Sequence, residues 1–331
     1  MTTHEEDEKW MRRCLQLARG GIEHAAPNPM VGAVVVHQGR ILGEGYHVRC
    51  GEGHAEVNAI GSVREADRPL LRESTIYVSL EPCAHYGRTP PCARLIVETG
   101  IPRAVVGCID PFARVKGRGV AILREAGVEV VTGVLEDECR RLNRRFFTVQ
   151  ERHRPFITLK WARSADGFID RHRSPEEPPA RLSTPLSRLH AHLLRARHEA
   201  ILVGHATLRL DRPRLDVRHW AGSSPQRCVL GNLAPAELPE GFEAFGSTDS
   251  LLRTLQTDGV QTLLVEGGRQ TLQTFIDAGL WDEAWEETAT ITLGSGIPAP
   301  VMPPGALRTD LRRLGASFSR YRNPRPAALD M

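Results

Sequence analysis

The chain has 331 residues, 41% of them hydrophobic and 25% charged, with 43 Lys plus Arg against 40 Asp plus Glu. That length favours two domains, and the composition sets aside disordered and fibrous classes. A net charge of +3 argues against a general nucleic-acid binder, and no apolar run approaches the roughly 18 residues of a membrane span. The acidic start, MTTHEEDEKW, is the opposite of a secretory signal. Seven cysteines, an odd number scattered along the chain, do not suggest a disulfide framework. A reducing cytoplasm is the expected location.

Met11–Gly20 carries apolar residues at helical spacing and closes on a Gly pair suited to a C-cap, so a helix is expected there. Val31–Val36, VGAVVV, is a short β-branched run between the PNP turn and Gly39, and Ile41–Tyr46 is placed to pair with it as a hairpin. His54–Val63 reads as a helix, Thr75–Leu80 as a strand and Cys92–Thr99 as a helix. Arg103–Ile109 follows as a strand, Gly119–Ala126 as a helix and Val128–Val131 as a strand. Strands separated by helices of this length imply an α/β layer architecture. Glu151–Pro155, ERHRP, is polar and ends on proline, and it separates a first domain, 1–150, from a second, 151–331. The second opens with a strand at Phe156–Trp161, a helix at Pro185–Arg197 and a strand at Ala200–Gly204. Strands at Arg227–Gly231 and Gln261–Glu266 and a helix at Gln270–Ala278 follow, with Pro-rich loops expected at 172–181 and 233–243.

The most informative stretch is His54-Ala55-Glu56, followed after a strand by Glu81-Pro82-Cys83 and then Cys92. One imidazole and two thiolates give Zn²⁺ three protein ligands and leave its fourth tetrahedral position for water, as in a catalytic site. Such a metal lowers the pKa of its water to roughly 7, which provides a nucleophile at neutral pH. Glu56 is too close to His54 in sequence to be a fourth ligand. It is placed instead to carry a proton from the water to a leaving amine. This His-x-Glu, Pro-Cys, Cys order is that of the zinc nucleobase deaminases. One departure concerns spacing, because eight residues (AHYGRTPP) separate the cysteines instead of two. Cys14, Cys50, Cys108, Cys139 and Cys228 match no site pattern and are expected to be packing or incidental residues.

The runs PNPMVGAVVV (27–36), GEGYH (43–47), GHAEVNAI (53–60), YVSLEPCAHYGRTPPC (77–92) and DP (110–111) resemble the deaminase half of the bifunctional riboflavin-biosynthesis deaminase/reductases. A long inter-cysteine loop with a GRTPP segment is characteristic of that family. The resemblance implies a cytidine-deaminase-like domain acting on a diaminopyrimidinone that carries a phosphoribosylamino group and loses one ring amine as ammonia. Matched position by position, it places Asn28, His47, Arg88 and Asp110 on the pyrimidine or its ribose phosphate. A guanidinium fork at Arg88 suits a phosphate or carbonyl. Phe112 and Ala84 stand where the family commonly has Asn and Ser.

In the second half, Val265-Glu266-Gly267-Gly268 ends a strand and leads into a helix, where the backbone can approach a ligand and N–H groups can meet a phosphate. It is not the Gly-x-Gly-x-x-Gly dinucleotide fingerprint. Thr158-Leu159-Lys160, Ser164-Ala165-Asp166-Gly167, LLRARHEAILVG (193–204), Trp281-Asp282-Glu283 and GSGIPAP (294–300) follow the order of the same family's reductase domain. That domain resembles dihydrofolate reductase in fold and uses NADPH to reduce the ribosyl group to a ribityl chain. By this resemblance Lys160, Arg195, Leu215, Arg218 and Glu266 contact the substrate, while Ala162, Thr207, Asp211 and Gly268 line the NADPH site. Arginines suit the substrate's phosphate through paired, charge-assisted donors, and a buried Glu266 needs a partner. Arg181, Arg212 and Gly231 depart from residues common in the family.

The expectation is an α/β chain of two domains, cytidine-deaminase-like at the N-terminus and dihydrofolate-reductase-like at the C-terminus, using Zn²⁺ and NADPH. Its substrate is a small phosphorylated pyrimidine; neither nucleic acid nor membrane is a partner, and the chain is a homo-oligomer. Two alternatives stay open at this point. One is a deaminase whose C-terminal half is a degenerate binding or dimerisation module. The other is a nucleic-acid editing deaminase, against which the 5% aromatic content and near-neutral charge weigh.

Overall fold

Residues 3–85, 90–112, 115–313 and 316–329 are described by the computed structural model, and the chain divides into two units, Met1–Gln150 and Glu151–Met331. In the first, α1 (Thr3–Ala18) buries Trp10, Met11, Cys14 and Leu15. It starts at Thr3 rather than Met11: Glu5 and Glu6 complement its positive end, and Asp7 pairs with Arg103 at 2.8 Å. The hairpin β1 (Gly32–His37) and β2 (Arg40–Tyr46) follows, then α2 (Ala55–Gly61), β3 (Thr75–Val78), α3 (Cys92–Thr99), β4 (Arg103–Val106), α4 (Arg118–Glu125) and β5 (Glu129–Thr132). Two further helices, α5 (Glu136–Leu142) and α6 (Arg144–Arg152), close the unit. The sheet order is β2-β1-β3-β4-β5, with β3, β4 and β5 parallel and β1 antiparallel to both its neighbours.

Alternation along β1 sorts its side chains between two cores. Ala33 and Val35 join Ala59, Ile96 and Leu123 of α2, α3 and α4, whereas Val34 and Val36 join Met11, Cys139 and Phe147 of α1, α5 and α6. The α2 side carries the first site. Glycines in β2 bring α2 close: a Cβ on Gly43 or Gly45 would lie 2.3 Å from the Ala59 carbonyl oxygen or 2.6 Å from its nitrogen. β3 and β4 stop at Val78 and Val106, short of the expected Leu80 and Ile109. The apolar run outlasts the ladder because Leu80 and Cys108 remain buried after the strands end.

The second unit contains β6 (Phe156–Arg163), β7 (Phe168–Asp170), α7 (Pro185–Ala196), β8 (Ala200–Gly204), α8 (His205–Asp211), β9 (Gln226–Leu230) and β10 (Phe242–Phe245). It continues with α9 (Thr248–Thr257), β11 (Thr262–Val265), α10 (Arg269–Asp277), β12 (Glu283–Thr288), β13 (Ile297–Pro298), β14 (Leu307–Arg313) and β15 (Ala316–Arg322). The eight-stranded sheet runs β10-β9-β8-β11-β6-β12-β15-β14, parallel from β10 to β12 and antiparallel beyond. β11 inserts between β8 and β6, so the chain order reverses there and opens a crevice at the carboxyl ends of parallel strands. One face of the sheet buries Leu252, Leu255, Leu272 and Phe275, and the other Leu194, Leu208 and Phe318.

One reading needs correction. The segment 233–243 is not all loop: it holds a 3₁₀ turn at Pro235–Glu237 and the start of β10, which gains its order by pairing with β9. The polar ERHRP junction also contributes to the packing of the second unit. Arg154 is fully buried, with Nη1 2.7 Å from Asp282 Oδ2, an oxygen that also accepts from the Ile157 N–H at 2.8 Å. No helix among the described residues is long and apolar enough to cross a membrane.

Candidate functional site

His54 is the N-cap of α2, Cys83 follows β3, and Cys92 opens α3. The fold brings Cys83 Sγ and Cys92 Sγ to 3.5 and 3.4 Å from His54 Nδ1, all three ligand atoms lying within 4.8 Å of one another. A tetrahedral zinc with ordinary Zn–S and Zn–N lengths has an N···S edge of about 3.6 Å, so this donor set fits the ion in both spacing and chemistry. The Cys92 thiol and His54 both stabilise the Cys83 thiolate and hold its pKa down, while Cys92 is pushed up by that neighbour and by burial. The Cys92 N–H also donates to Cys83 Sγ at 3.3 Å.

Glu56 sits in the first turn of α2, buried, against the Cys92 thiol. Burial lifts its carboxyl to about 7 against the opposing pull of His54. On the other side of His54, the His47 ring packs edge-on with centroids 5.4 Å apart. His47 Nδ1 lies 3.1 Å from the Gly53 carbonyl oxygen, and Nε2 lies 3.1 Å from Asn28 Nδ2. A neutral ring protonated at Nδ1 satisfies both contacts, donating to Gly53 and accepting from the Asn28 amide. Burial lowers the pKa of His47, which favours that neutral form. Asp110 is buried and its carboxyl is raised to about 6 by that burial, although Oδ1 accepts from the Phe112 N–H at 2.8 Å. Arg88 lies outside the described residues.

Glu81 escaped the sequence reading as anything but part of a motif. Its carboxylate accepts from four backbone N–H groups, those of Asp110 (3.2 Å), Gly117 (2.9 Å), Gly119 (2.9 Å) and Val120 (3.1 Å). It therefore ties the strand end beside Cys83 to the Asp110 segment and to the start of α4. Glu81→Ala is expected to lower the unfolding free energy by about 3 kcal/mol or more, since buried donors would be left unmet. Urea unfolding of the two proteins measures this; an unchanged midpoint would remove Glu81 as the organiser. Asn58 does similar work nearby, its amide donating to the Tyr46 and Gly53 carbonyl oxygens at 2.8 and 3.2 Å.

In the second unit Glu266 follows β11, and its carboxylate, on a side chain only 10% exposed, takes Arg195 side-on, with Nη2–Oε2 at 2.6 Å and Nε–Oε1 at 3.3 Å. Burial alone would raise the Glu266 pKa, but the charges of Arg195 and Lys160 outweigh it and hold the carboxyl below its ordinary value. Arg195 stands far from the Gly267–Gly268 turn in sequence, yet the fold sets its guanidinium on the residue just before those glycines. Arg195 Nη1 also reaches the Asp216 carbonyl oxygen at 3.3 Å, and Arg218 Nη1 lies 2.5 Å from Asp216 Oδ1. Leu215 is buried with φ +55°. The Gly268 N–H donates to Thr207 Oγ1 at 3.0 Å, joining the turn after β11 to α8. Gly268 is also the N-cap of α10 with no side-chain cap, so the first turn faces outward without one, which fits a cofactor phosphate. Ala162 lies near the end of β6.

Asp211 ends α8 and pairs with Arg173 of the Pro-rich segment, a guanidinium that also holds Asp170. Gly231 has φ +146°, and a Cβ there would lie 2.7 Å from His205 Nδ1. A side chain at 231 is thus excluded by His205. His192 was not foreseen: its Nδ1 accepts from the Arg218 N–H at 3.2 Å and so holds the Leu215–Arg218 segment.

Residues 4–108 match the family described as the cytidine and deoxycytidylate deaminase zinc-binding region, and 155–240 with 244–317 match the RibD C-terminal domain. A riboflavin biosynthesis protein RibD of Aquifex aeolicus is 36% identical over 88% of this chain and 89% of its own length. The chain belongs to the RibD family. A RibD of Bacillus amyloliquefaciens is likewise 36% identical, over 90% of this chain and 88% of that protein. Two solved structures superpose with TM-scores of 0.82 over 97% of this chain and 100% of theirs: an Acinetobacter baumannii RibD at 31% identity and the Thermotoga maritima diaminohydroxyphosphoribosylaminopyrimidine deaminase/5-amino-6-(5-phosphoribosylamino)uracil reductase at 33%. The RibD pairing of a zinc-binding deaminase domain with a reductase domain accounts for both sites and for the two α/β units. It also makes the C-terminal half a RibD reductase domain.

Proposed function

We propose that this bifunctional RibD enzyme of riboflavin biosynthesis deaminates 2,5-diamino-6-(5-phosphoribosylamino)pyrimidin-4(3H)-one in its first unit. The second unit then reduces the ribosyl group of the product to a ribityl chain with NADPH. The observation that carries the first step is the cluster of His54, Cys83 and Cys92 with Glu56 beside it and no carboxylate needed as a ligand. Those three residues would hold Zn²⁺, which when bound supplies the Lewis acidity that makes a water nucleophilic at neutral pH. Glu56 accepts the water's proton on its carboxylate and returns it to the departing amine, a task for which its place in the first turn of α2 beside the ligands suits it. His47 occupies the Asn28 amide nitrogen and so leaves Asn28 Oδ1 as an acceptor for the pyrimidine's N–H edge. The buried Asp110 stands to accept from the substrate as well. Thiolate ligands need a reducing compartment, which supports a cytoplasmic enzyme.

In the second unit, Thr207, Gly268 and the first turn of α10 would receive NADPH, with Ala162 and Asp211 lining the site; the cofactor supplies the hydride. Lys160, Arg195 and Arg218 bring positive charge to the phosphorylated product, and Glu266 keeps Arg195 in place. Arg195→Ala should raise KM for that product about tenfold to a hundredfold, and more than KM for NADPH, with lysine recovering only part. It should also move the acid limb of the reduction to higher pH. With Arg195 present, Glu266 stays ionised below the ordinary glutamate range, and its stabilising contribution fades only as pH falls through that lowered value; without Arg195, burial carries the carboxyl upward. Steady-state kinetics against pH decide this, and a rise confined to the NADPH KM would reverse the two subsites.

The function itself is tested with zinc-loaded protein, following ammonia release from the diaminopyrimidinone and then NADPH absorbance in its near-ultraviolet band. Ammonia release followed by NADPH oxidation is expected. Ammonia release with no oxidation of NADPH would leave only the deaminase.

A further inference from the structure

We propose that Asn143, in the connection between α5 and α6, is a positioning residue for the deaminase site, setting the segment that presents Asn28. Asn143 lies beyond the residues matched to the zinc-binding deaminase family (4–108) and before those matched to the RibD C-terminal domain (from 155), so neither match gives it a role. Its buried side-chain amide acts as a substitute peptide group towards one residue. Oδ1 accepts from the Met30 N–H and Nδ2 donates to the Met30 carbonyl oxygen, both at 2.8 Å. Met30 precedes β1, outside the sheet ladder, and Asn143 supplies the pairing that a neighbouring strand would otherwise give it.

The clamp is stiff at its own end. The Asn143 N–H donates to the Cys139 carbonyl oxygen and its carbonyl accepts from the Phe147 N–H, while Cys139 and Phe147 are buried in the core beneath α1. At the other end, two residues from Met30, the Asn28 amide meets His47, which packs edge-on against His54. The backbone repeats the linkage, with the His47 N–H donating to the Val31 carbonyl oxygen at 2.9 Å. Asn143 thus fixes the distance of Asn28 from the His54 cluster without touching either. Among side chains of its size, only an amide offers one donor and one acceptor in the fixed geometry a peptide group needs.

The proposal rests on Asn28 contacting the pyrimidine. Its test is ammonia release by zinc-loaded, full-length wild type, Asn143→Ala, Asn28→Ala and the double variant, with zinc content and thermal unfolding measured on the same preparations. Asn143→Ala is expected to keep its zinc and to raise KM for the diaminopyrimidinone about tenfold while kcat stays within about twofold. Added to Asn28→Ala it should raise KM no further, because both changes remove the same contact. Asn143→Asp keeps the acceptor for the Met30 N–H but sets a second acceptor against the Met30 carbonyl oxygen, so a KM raised at least as far as in the alanine variant is expected; it carries the same comparison if the alanine variant does not fold. An unchanged KM in the folded variant, or effects that multiply in the double variant, would overturn the proposal. If Asn28→Ala alone left KM unchanged, the reading of Asn28 would fall and the proposal with it.

Discussion

Glu56→Gln is expected to retain a full complement of zinc and to lose deamination by about 10²–10⁴ in rate. Glutamine keeps the size of the side chain and its place in the first turn of α2, and it leaves His54, Cys83 and Cys92 as they are. What it removes is the ability to take up a proton and release it again. The buried position of Glu56 makes the comparison clean, because solvent has little access to substitute for the carboxyl. Zinc content and ammonia release are to be measured on one preparation. Loss of zinc from this variant would make Glu56 a ligand, and the division of labour between metal and carboxylate would be wrong.

His54→Ala, Cys83→Ser and Cys92→Ser are each expected to deplete zinc and abolish ammonia release. NADPH-dependent reduction of supplied product should continue. Each ligand atom is one of three, and two remaining donors hold the ion far more weakly than three. The second half of the expectation follows from packing. Cores around Ile96 and Met11 belong to the first unit, and cores around Phe275 and Leu194 to the second, so damage at His54 leaves the packing beneath Glu266 and Gly268 in place. Ammonia release and NADPH oxidation, assayed separately on each variant, check both halves. If folded ligand variants lost reduction as well, the two activities would not be separable.

The grouping of His54, Cys83 and Cys92 as candidate ligands could be read from sequence despite its unusual spacing because ligand chemistry resides in residue type and order. His54, Glu56, Cys83 and Cys92 keep both. The strands with continuous apolar runs, β1 and β8, were equally plain. β12 was not, and the reason lies in its composition. Glu283, Glu286 and Glu287 sit on a strand buried almost throughout, where an alternating pattern of apolar residues never appears. Their partners are Arg320 at 2.5 Å, Arg163 at 3.0 Å and the Ser183 hydroxyl at 2.6 Å, drawn from separate parts of the unit. Arg154 was hidden in the same way, a buried cation whose carboxylate partner, Asp282, lies in a distant segment. Local periodicity carries no trace of such pairs.

Taken alone, the sequence determined the α/β class, the candidate metal ligands His54, Cys83 and Cys92, the candidate proton carrier Glu56 and the resemblance to a two-activity family. Each of these depends on which residues are present and on their order, properties the chain has before it folds. Tertiary structure decided which side chains act together. It set Arg195 on Glu266, gave Glu81 four backbone donors, put Asn143 on Met30 and made Gly231 give way to His205. These are long-range hydrogen bonds and contacts whose strength falls off within a few ångströms. Only the packed arrangement of helices on both sheets brings the partners that close.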